Sequence, residues 1–405
     1  MKTAGLVSIE EIEDARNRLK NVAVRTPLDR SRALSDICGG DVFIKCENLQ
    51  RTGSFKIRGA YNRISRLSKE ECRAGVVAAS AGNHAQGVAL AASLSNTNST
   101  VFMPDSASLP KVEATKRYGA EVILTGHDFG AAYAAAQEHA EKVGAVFVHP
   151  FDHPHIIAGQ GTVGAEIHEQ MGEFGTIVVP IGGGGLISGI SAAIKTLRPN
   201  VRIVGVQAAG AASYPPSLAA GHPETLEHMD SIADGISANR PGDLTFAHVS
   251  QLVDEVVTVT DEQIAEALVV TAERMKLVVE PSGAAGVAAV QQALGHLEPP
   301  IVVVLSGGNI DPLLLLGVIR FGLGAAGRYF AFHTRVEDRP GVLARLLSLI
   351  AETGANLVGV EHHREGVGVR IGEVDVILQV EARGFPHIEE LTHTLAQHGY
   401  TVEAY

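Results

Sequence analysis

Lys56, in Ser54-Phe55-Lys56-Ile57-Arg58-Gly59-Ala60, is the residue best placed to do covalent chemistry. It follows a turn-like stretch, Gln50-Arg51-Thr52-Gly53, and Ser54 has the side chain of a helix N-cap. Ile57, Ala60, Tyr61 and Ile64 recur at helical spacing, which predicts a helix from Phe55 to Arg66. Lys56 then lies in the first turn, where the positive end of the helix dipole disfavours an ammonium. A free amine attacks carbonyls and forms a Schiff base. The plainer reading is a surface lysine that opens an amphipathic helix. Three further stretches bear on the choice.

Gly182-Gly183-Gly184-Gly185-Leu186 follows an apolar run, Thr176–Ile181, and precedes a helical pattern. Glycines let the backbone approach a ligand closely, and successive N–H groups at a helix start cradle phosphate. The alternative is a tight strand-to-helix turn. A dinucleotide is disfavoured because the next strand ends at Gln207, where a ribose-binding carboxylate is expected. Ser80-Ala81-Gly82-Asn83-His84 also joins a strand to a helix. Ser80, Gly82 and the amides that follow suit a carboxylate, and Asn83 can donate to a phenolate-like oxygen. His84 is either a base or a helix-start histidine satisfied by backbone. Ser306-Gly307-Gly308-Asn309 ends the last long apolar run, and a serine there can donate to a pyridine nitrogen. Glu280 reads equally as a helix cap or as a carboxylate near the site.

Elements that alternate along the chain must position these groups. Val42–Cys46, Val76–Ala79, Thr100–Met103, Val122–Thr125 and Ala145–His149 read as strands. So do Thr176–Ile181, Val201–Gln207, Val256–Val259 and Ile301–Ser306. Helical patterns separate most of them, including His84–Ser93, Gly161–Met171, Leu186–Leu197, Asp261–Met275 and Ser282–Leu294. The strands are continuous apolar runs, as in sheets covered on both faces. Two parallel-type α/β layers are expected, with the chemistry on loops at strand C-termini. After the apolar, glycine-rich stretch Pro312–Gly327, the order becomes β-α-β-β-α-β, the ferredoxin-like unit. The boundary is expected near Gly324. That gives a catalytic part over 1–324, with a smaller α/β subdomain at about 53–150 inserted in it, and a terminal part over 325–405.

Composition removes several classes. A formal net charge of −12 argues against nucleic-acid binding, and no apolar run reaches membrane-spanning length. Met1-Lys2-Thr3-Ala4-Gly5 leads into the capping box Ser8-Ile9-Glu10-Glu11, so no leader is expected. Cys38, Cys46 and Cys72 are odd in number and lack metal spacing, which fits a reducing cytoplasm. His149, His153 and His155 are interrupted by prolines and joined by no cysteine, so they read as a polar loop and no metal is expected. Arg51 and Arg58 read as salt-bridging surface groups.

Lys56, the Ser80–Gly87 loop, the tetraglycine loop and Ser306-Gly307-Gly308-Asn309 occur in this order. The chain resembles the pyridoxal-phosphate enzymes of the tryptophan-synthase-β type, fold type II, and within them the threonine dehydratases, from about Leu6 to Leu323. The terminal unit resembles an ACT regulatory domain. The resemblance implies pyridoxal 5'-phosphate on Lys56, with Phe55, Asn83, Gly182, Gly183, Gly184, Gly185, Leu186 and Ser306 around it. It places the substrate carboxylate on Ser80, Gly82 and Asn83, and an amino-acid effector near Gly341 and Asn356. It implies elimination of water from L-threonine to give 2-oxobutanoate and ammonium, and pyruvate from L-serine. A homotetramer or homodimer is expected, because a small ACT-like unit has one sheet face to bury.

Departures from the pattern matter. Serine racemases carry a second serine where Ala81 stands, and its absence favours elimination. They also have an acidic cation site where this chain has Gln207-Ala208-Ala209-Gly210-Ala211-Ala212-Ser213, so no divalent cation is expected there. His153 replaces an acidic residue, and nothing in the sequence explains it. The alternatives are a hydroxyaspartate dehydratase or β-replacement synthase of the same fold, and a non-catalytic amino-acid sensor.

Overall fold

The computed structural model describes residues 5–364 and 370–404. The leader expectation rests on residues 1–4 and lies outside them. The chain divides into two compact units, Met1–Leu315 and Leu316–Tyr405.

In the first unit the strands are β1 (Leu28–Arg30), β2 (Val42–Cys46), β3 (Val76–Ala79), β4 (Ser99–Met103) and β5 (Glu121–Leu124), then β6 (Val146–Phe147), β7 (Thr176–Pro180), β8 (Arg202–Ala208), β9 (Glu255–Val259) and β10 (Ile301–Leu305). They form two sheets, ordered β1-β2-β10-β7-β8-β9 and β5-β4-β3-β6. The smaller sheet is parallel throughout. The larger is parallel except for β1, which pairs antiparallel with β2 at the edge. Every residue of β3, β7 and β10 is buried, which is why they read as unbroken apolar runs. The larger sheet's core joins Ile177, Val179, Val302 and Val304 to Ile187, Ile190 and Ile194 of the helix Gly185–Leu197.

Parallel pairing makes the strands end together. The loops after β3, β7 and β10 therefore carry Ser80, the glycine run and Ser306 to the same side of their sheets. Two of the expected helices differ by several residues, and the helix Asp243–Leu252 is not among those expected. The one expected at Gly161–Met171 begins at Pro154, because His153 takes the N-cap and its ring accepts from His155 N. The one expected over Asp261–Met275 is α-helical to Val270, then closes in a π turn that Lys276 ends in the left-handed region.

The second unit is a four-stranded antiparallel sheet of β11 (Tyr329–Glu337), β12 (Asn356–His363), β13 (Glu373–Glu381) and β14 (Glu403–Ala404), ordered β12-β13-β11-β14. Along β13 buried and half-buried residues alternate. Val374, Val376, Leu378 and Val380 face a core shared with Leu346, Leu349 and Ile350 of Val342–Glu352 and Leu391 and Leu395 of Phe385–Gln397. This is the ferredoxin-like order. Gly341 enters the first of these helices at φ +88°, a conformation that favours glycine.

Candidate active site

The helix Lys56–Ile64 starts with Lys56 as its first residue. Ser54 is not its cap: Phe55 occupies the N-cap position and no side chain closes the helix. Instead Ser54 forms a backbone bridge with Gly307, Phe55 N donates to Ser306 O at 3.2 Å, and Gly308 N donates to Gly53 O at 2.8 Å. These bonds stitch the lysine loop to the loop after β10. The Ser54 hydroxyl is buried there without a hydrogen-bond partner among the described residues.

Lys56 Nζ donates to the Pro150 carbonyl at 3.0 Å and lies 5.3 Å from the centroid of the Phe55 ring. Its side chain is only half-buried, yet the protein packed around it lowers its pKa to about 8, against the pull of Glu280. Burial, more than position at a helix start, is thus the largest cause.

Asn83 opens the helix Asn83–Leu94. Its Nδ2 donates to Glu280 Oε1 at 2.6 Å, and its Oδ1 accepts from Asn309 Nδ2 at 2.8 Å. Both ends of the amide are fixed, and one N–H stays free for a ligand. Glu280 sits at the N-cap position of Pro281–Gln291 but does not cap it with its side chain. Burial raises that carboxyl to about 7, against the hydrogen bond from Asn83. A Cβ on Gly307 would strike Glu280 Oε1 and come within 3.0 Å of Asn83 Nδ2, so the glycine is what lets these groups converge. Gly82 N donates to Ser80 Oγ at 3.1 Å, which orients the hydroxyl and leaves its proton free to be donated.

The glycine run is closed from outside. A Cβ on Gly183 would strike the Phe151 ring, and one on Gly184 the Tyr214 hydroxyl. Gly184 has φ +95° and is the N-cap of Gly185–Leu197, with no side-chain cap. First-turn N–H groups of that helix are left for an anion.

Other residues fall elsewhere. His84 Nε2 donates to Val148 O at 2.8 Å, and burial and the Lys56 charge lower its pKa to about 3, so it is a backbone-satisfied neutral histidine. His149 Nδ1 accepts from Phe151 N and Asp152 N, which organises the loop that follows β6. Arg58 is the clear correction: it is 1% exposed, not a surface group. Its guanidinium grips Glu47 through Nε and Nη2, both at 2.8 Å, and Glu166 through Nη1 at 2.7 Å. Lys45 Nζ joins at 2.8 Å from Glu166 Oε2, with Gln170 Oε1 at 2.7 Å. In the second unit Asn356 Nδ2 donates to Glu381 Oε2 at 3.2 Å.

Sequence reasoning missed the convergence of Asn83, Glu280 and Asn309 and the part played by Phe151. A glycine flanked by polar residues at each strand end was the available signal for the first. Nothing local marks the second.

A family model described as pyridoxal-phosphate dependent enzyme matches residues 19–307, and one described as ACT domain matches residues 334–397. The chain is 49% identical over 397 residues to an L-threonine ammonia-lyase of Thermotoga maritima, spanning 98% of this chain and 99% of that protein. Two solved structures are similar over about three quarters of the chain. The processed form of threonine deaminase isoform 2 from Solanum lycopersicum is 38% identical, with a TM-score of 0.73 over 77% of this chain and 92% of that one. Maize serine racemase is 40% identical, with a TM-score of 0.74 over 78% of this chain and 98% of that one. No helix among the described residues is long and apolar enough to cross a membrane. With matches of that extent to both models, this chain belongs to the pyridoxal-phosphate-dependent enzymes and carries an ACT domain.

Proposed function

We propose that the chain is a threonine ammonia-lyase: it eliminates water from L-threonine, and the enamine released takes up water again to give 2-oxobutanoate and ammonium, L-serine giving pyruvate and ammonium by the same route. The observation that carries the reading is a lysine amine with one carbonyl partner and a depressed pKa, on a loop bonded to the one that carries Ser306 and Gly307. The full-length likeness to a threonine ammonia-lyase supports it.

The residues present fit the cofactor. The uncapped helix start at Gly184 suits a phosphate, and the partnerless Ser54 hydroxyl lies in the lysine loop beside Gly307. Lys56 would hold it covalently, flanked by Phe55, with Gly182 to Leu186 on its phosphate, the free Asn83 N–H on its ring oxygen and Ser306 at its ring nitrogen. Bound pyridoxal phosphate supplies an electron sink that makes the substrate's Cα proton acidic.

The chain's own groups do the rest. Ser80, Gly82 and Asn83 seat the substrate carboxylate at a helix start. Lys56, freed as an amine, takes the Cα proton; its lowered pKa raises the neutral fraction near pH 7. Ser306 donates a hydrogen bond to the ring nitrogen without transferring a full proton, which favours expulsion of the β-hydroxyl. Ala81 offers no hydroxyl, so the opposite face has no proton donor there and racemisation is disfavoured.

In this proposal residues 1–324 catalyse and 325–405 bind a regulatory amino acid near Gly341 and Asn356. Copies of the chain associate as a dimer or tetramer, and three free cysteines suit a reducing cytoplasm. The test is keto-acid formation from threonine, serine and 3-hydroxyaspartate, with and without isoleucine and valine. A substrate order led by 3-hydroxyaspartate would overturn the threonine assignment.

A further inference from the structure

His149-Pro150-Phe151-Asp152 lies against both Lys56 and the glycine run. The Pro150 carbonyl receives the Lys56 amine, and the Phe151 side chain lies against Gly183 and Gly185. Asp152 reaches further. Its Oδ1 accepts from Thr245 N at 3.0 Å and its Oδ2 from Asp243 N at 3.1 Å. These are first-turn N–H groups of the helix Asp243–Leu252, whose own N-cap, Gly242, has no side chain to offer. Asp152 therefore caps a helix that begins far along the chain. One more bond returns to the glycine run. Thr245 Oγ1, fully buried, donates to Gly183 O at 2.6 Å, and the Tyr214 hydroxyl donates to the same oxygen at 3.4 Å.

A trans peptide points its C=O and N–H in opposite directions. Holding the Gly183 carbonyl back against Thr245 aims the Gly184 N–H the other way. We propose that Asp152 and Thr245 are positioning residues for the phosphate cradle: Asp152 fixes the first turn of Asp243–Leu252, and Thr245 in that turn sets the Gly183–Gly184 peptide with its N–H toward the ligand. The inference rests on the assignment of the glycine run to the cofactor phosphate.

The test compares pyridoxal phosphate with pyridoxal, which lacks the phosphate, on full-length apoenzyme followed by absorbance. The variants are Thr245→Val, Thr245→Ser, Asp152→Ala and Asp152→Asn. Loss of one well-placed hydrogen bond predicts about tenfold weaker binding of pyridoxal phosphate to Thr245→Val. Pyridoxal binding stays as in the wild type, and Thr245→Ser, which keeps the hydroxyl, recovers most of the loss. The Asp152 variants shift in the same direction, Asp152→Asn less than Asp152→Ala. An unchanged phosphate-to-pyridoxal ratio in Thr245→Val overturns the inference, as does equal weakening of both ligands or a Thr245→Ser as weak as Thr245→Val. A wild-type chain that binds both ligands equally overturns the assignment of the glycine run itself.

Discussion

Lys56 and Arg58 stand two residues apart on one helix, and the protein treats their charges in opposite ways. Two steps of an α-helix turn a side chain to the far side. Lys56 faces the loop after β6, where the Pro150 carbonyl accepts from it and burial makes its charge costly. Arg58 faces the interior, where Glu47 and Glu166 outweigh that cost and raise its pKa. One cation is kept under-paired and the other saturated. In the proposed reading, reactivity and anchorage come from the same turn of helix, separated only by direction.

The sharpest way to break this contrast is Lys56→Ala. Turnover should fall roughly 10³-fold or more, and the visible absorbance of the bound cofactor should vanish. A variant that keeps wild-type keto-acid formation would remove Lys56 from the chemistry. Arg58→Met probes the other side. It strands the Glu47 carboxylate in the interior, leaves Glu166 with Lys45 alone, and should lower unfolding free energy by about 3–5 kcal/mol, read from urea midpoints. Arg58→Lys should recover only part, because an ammonium cannot grip Glu47 through two parallel bonds.

A third measurement addresses the charge that faces Lys56. The Glu280 carboxyl is raised from 4.5 to about 7 in the fold. Its contribution to apoenzyme stability is therefore full below 4.5 and lost as pH rises through about 7. Lys56, lowered from 10.5 to about 8, runs the other way: its contribution is full above 10.5 and lost as pH falls through about 8. Glu280→Gln should remove the first slope, gaining on the wild type as pH rises from about 4.5 to about 7 and levelling off above that. A difference that does not vary with pH would show that the carboxyl titrates normally. The smallest effect is expected far from either residue. Ser8→Ala breaks the capping box with Glu11 and should cost about 1 kcal/mol while leaving kcat and KM unchanged.

The sequence was most legible where the candidate site residues follow strand ends. Ser80, Gly182 and Ser306 each interrupt a buried apolar run, and such runs mark a parallel sheet by themselves. The smaller elements were less visible. Leu28–Arg30 is three residues long with two charged side chains, and only pairing with Val42–Cys46 makes it a strand. Arg58 was misjudged because its partners, Glu47 and Glu166, lie on distant elements, and periodicity says nothing about which charges meet. The helix Asp243–Leu252 was missed for the same reason, since its cap, Asp152, comes from another part of the chain. Local rules describe what a segment prefers; the ion cluster and the borrowed cap exist only once the segments are assembled.

The placement of β10 has a consequence for how the enzyme is made. Ile301–Leu305 lies between β2 and β7, so Val42 on one side and Thr176 on the other both wait for it. A nascent chain emerging from the ribosome can complete the smaller sheet early. The larger one has a gap at its middle until the last strand of the unit is synthesised, and two apolar edges stay open to wrong partners meanwhile. Maturation of the catalytic unit is thus timed by its final strand, and pairing of such sequence-distant segments is slow.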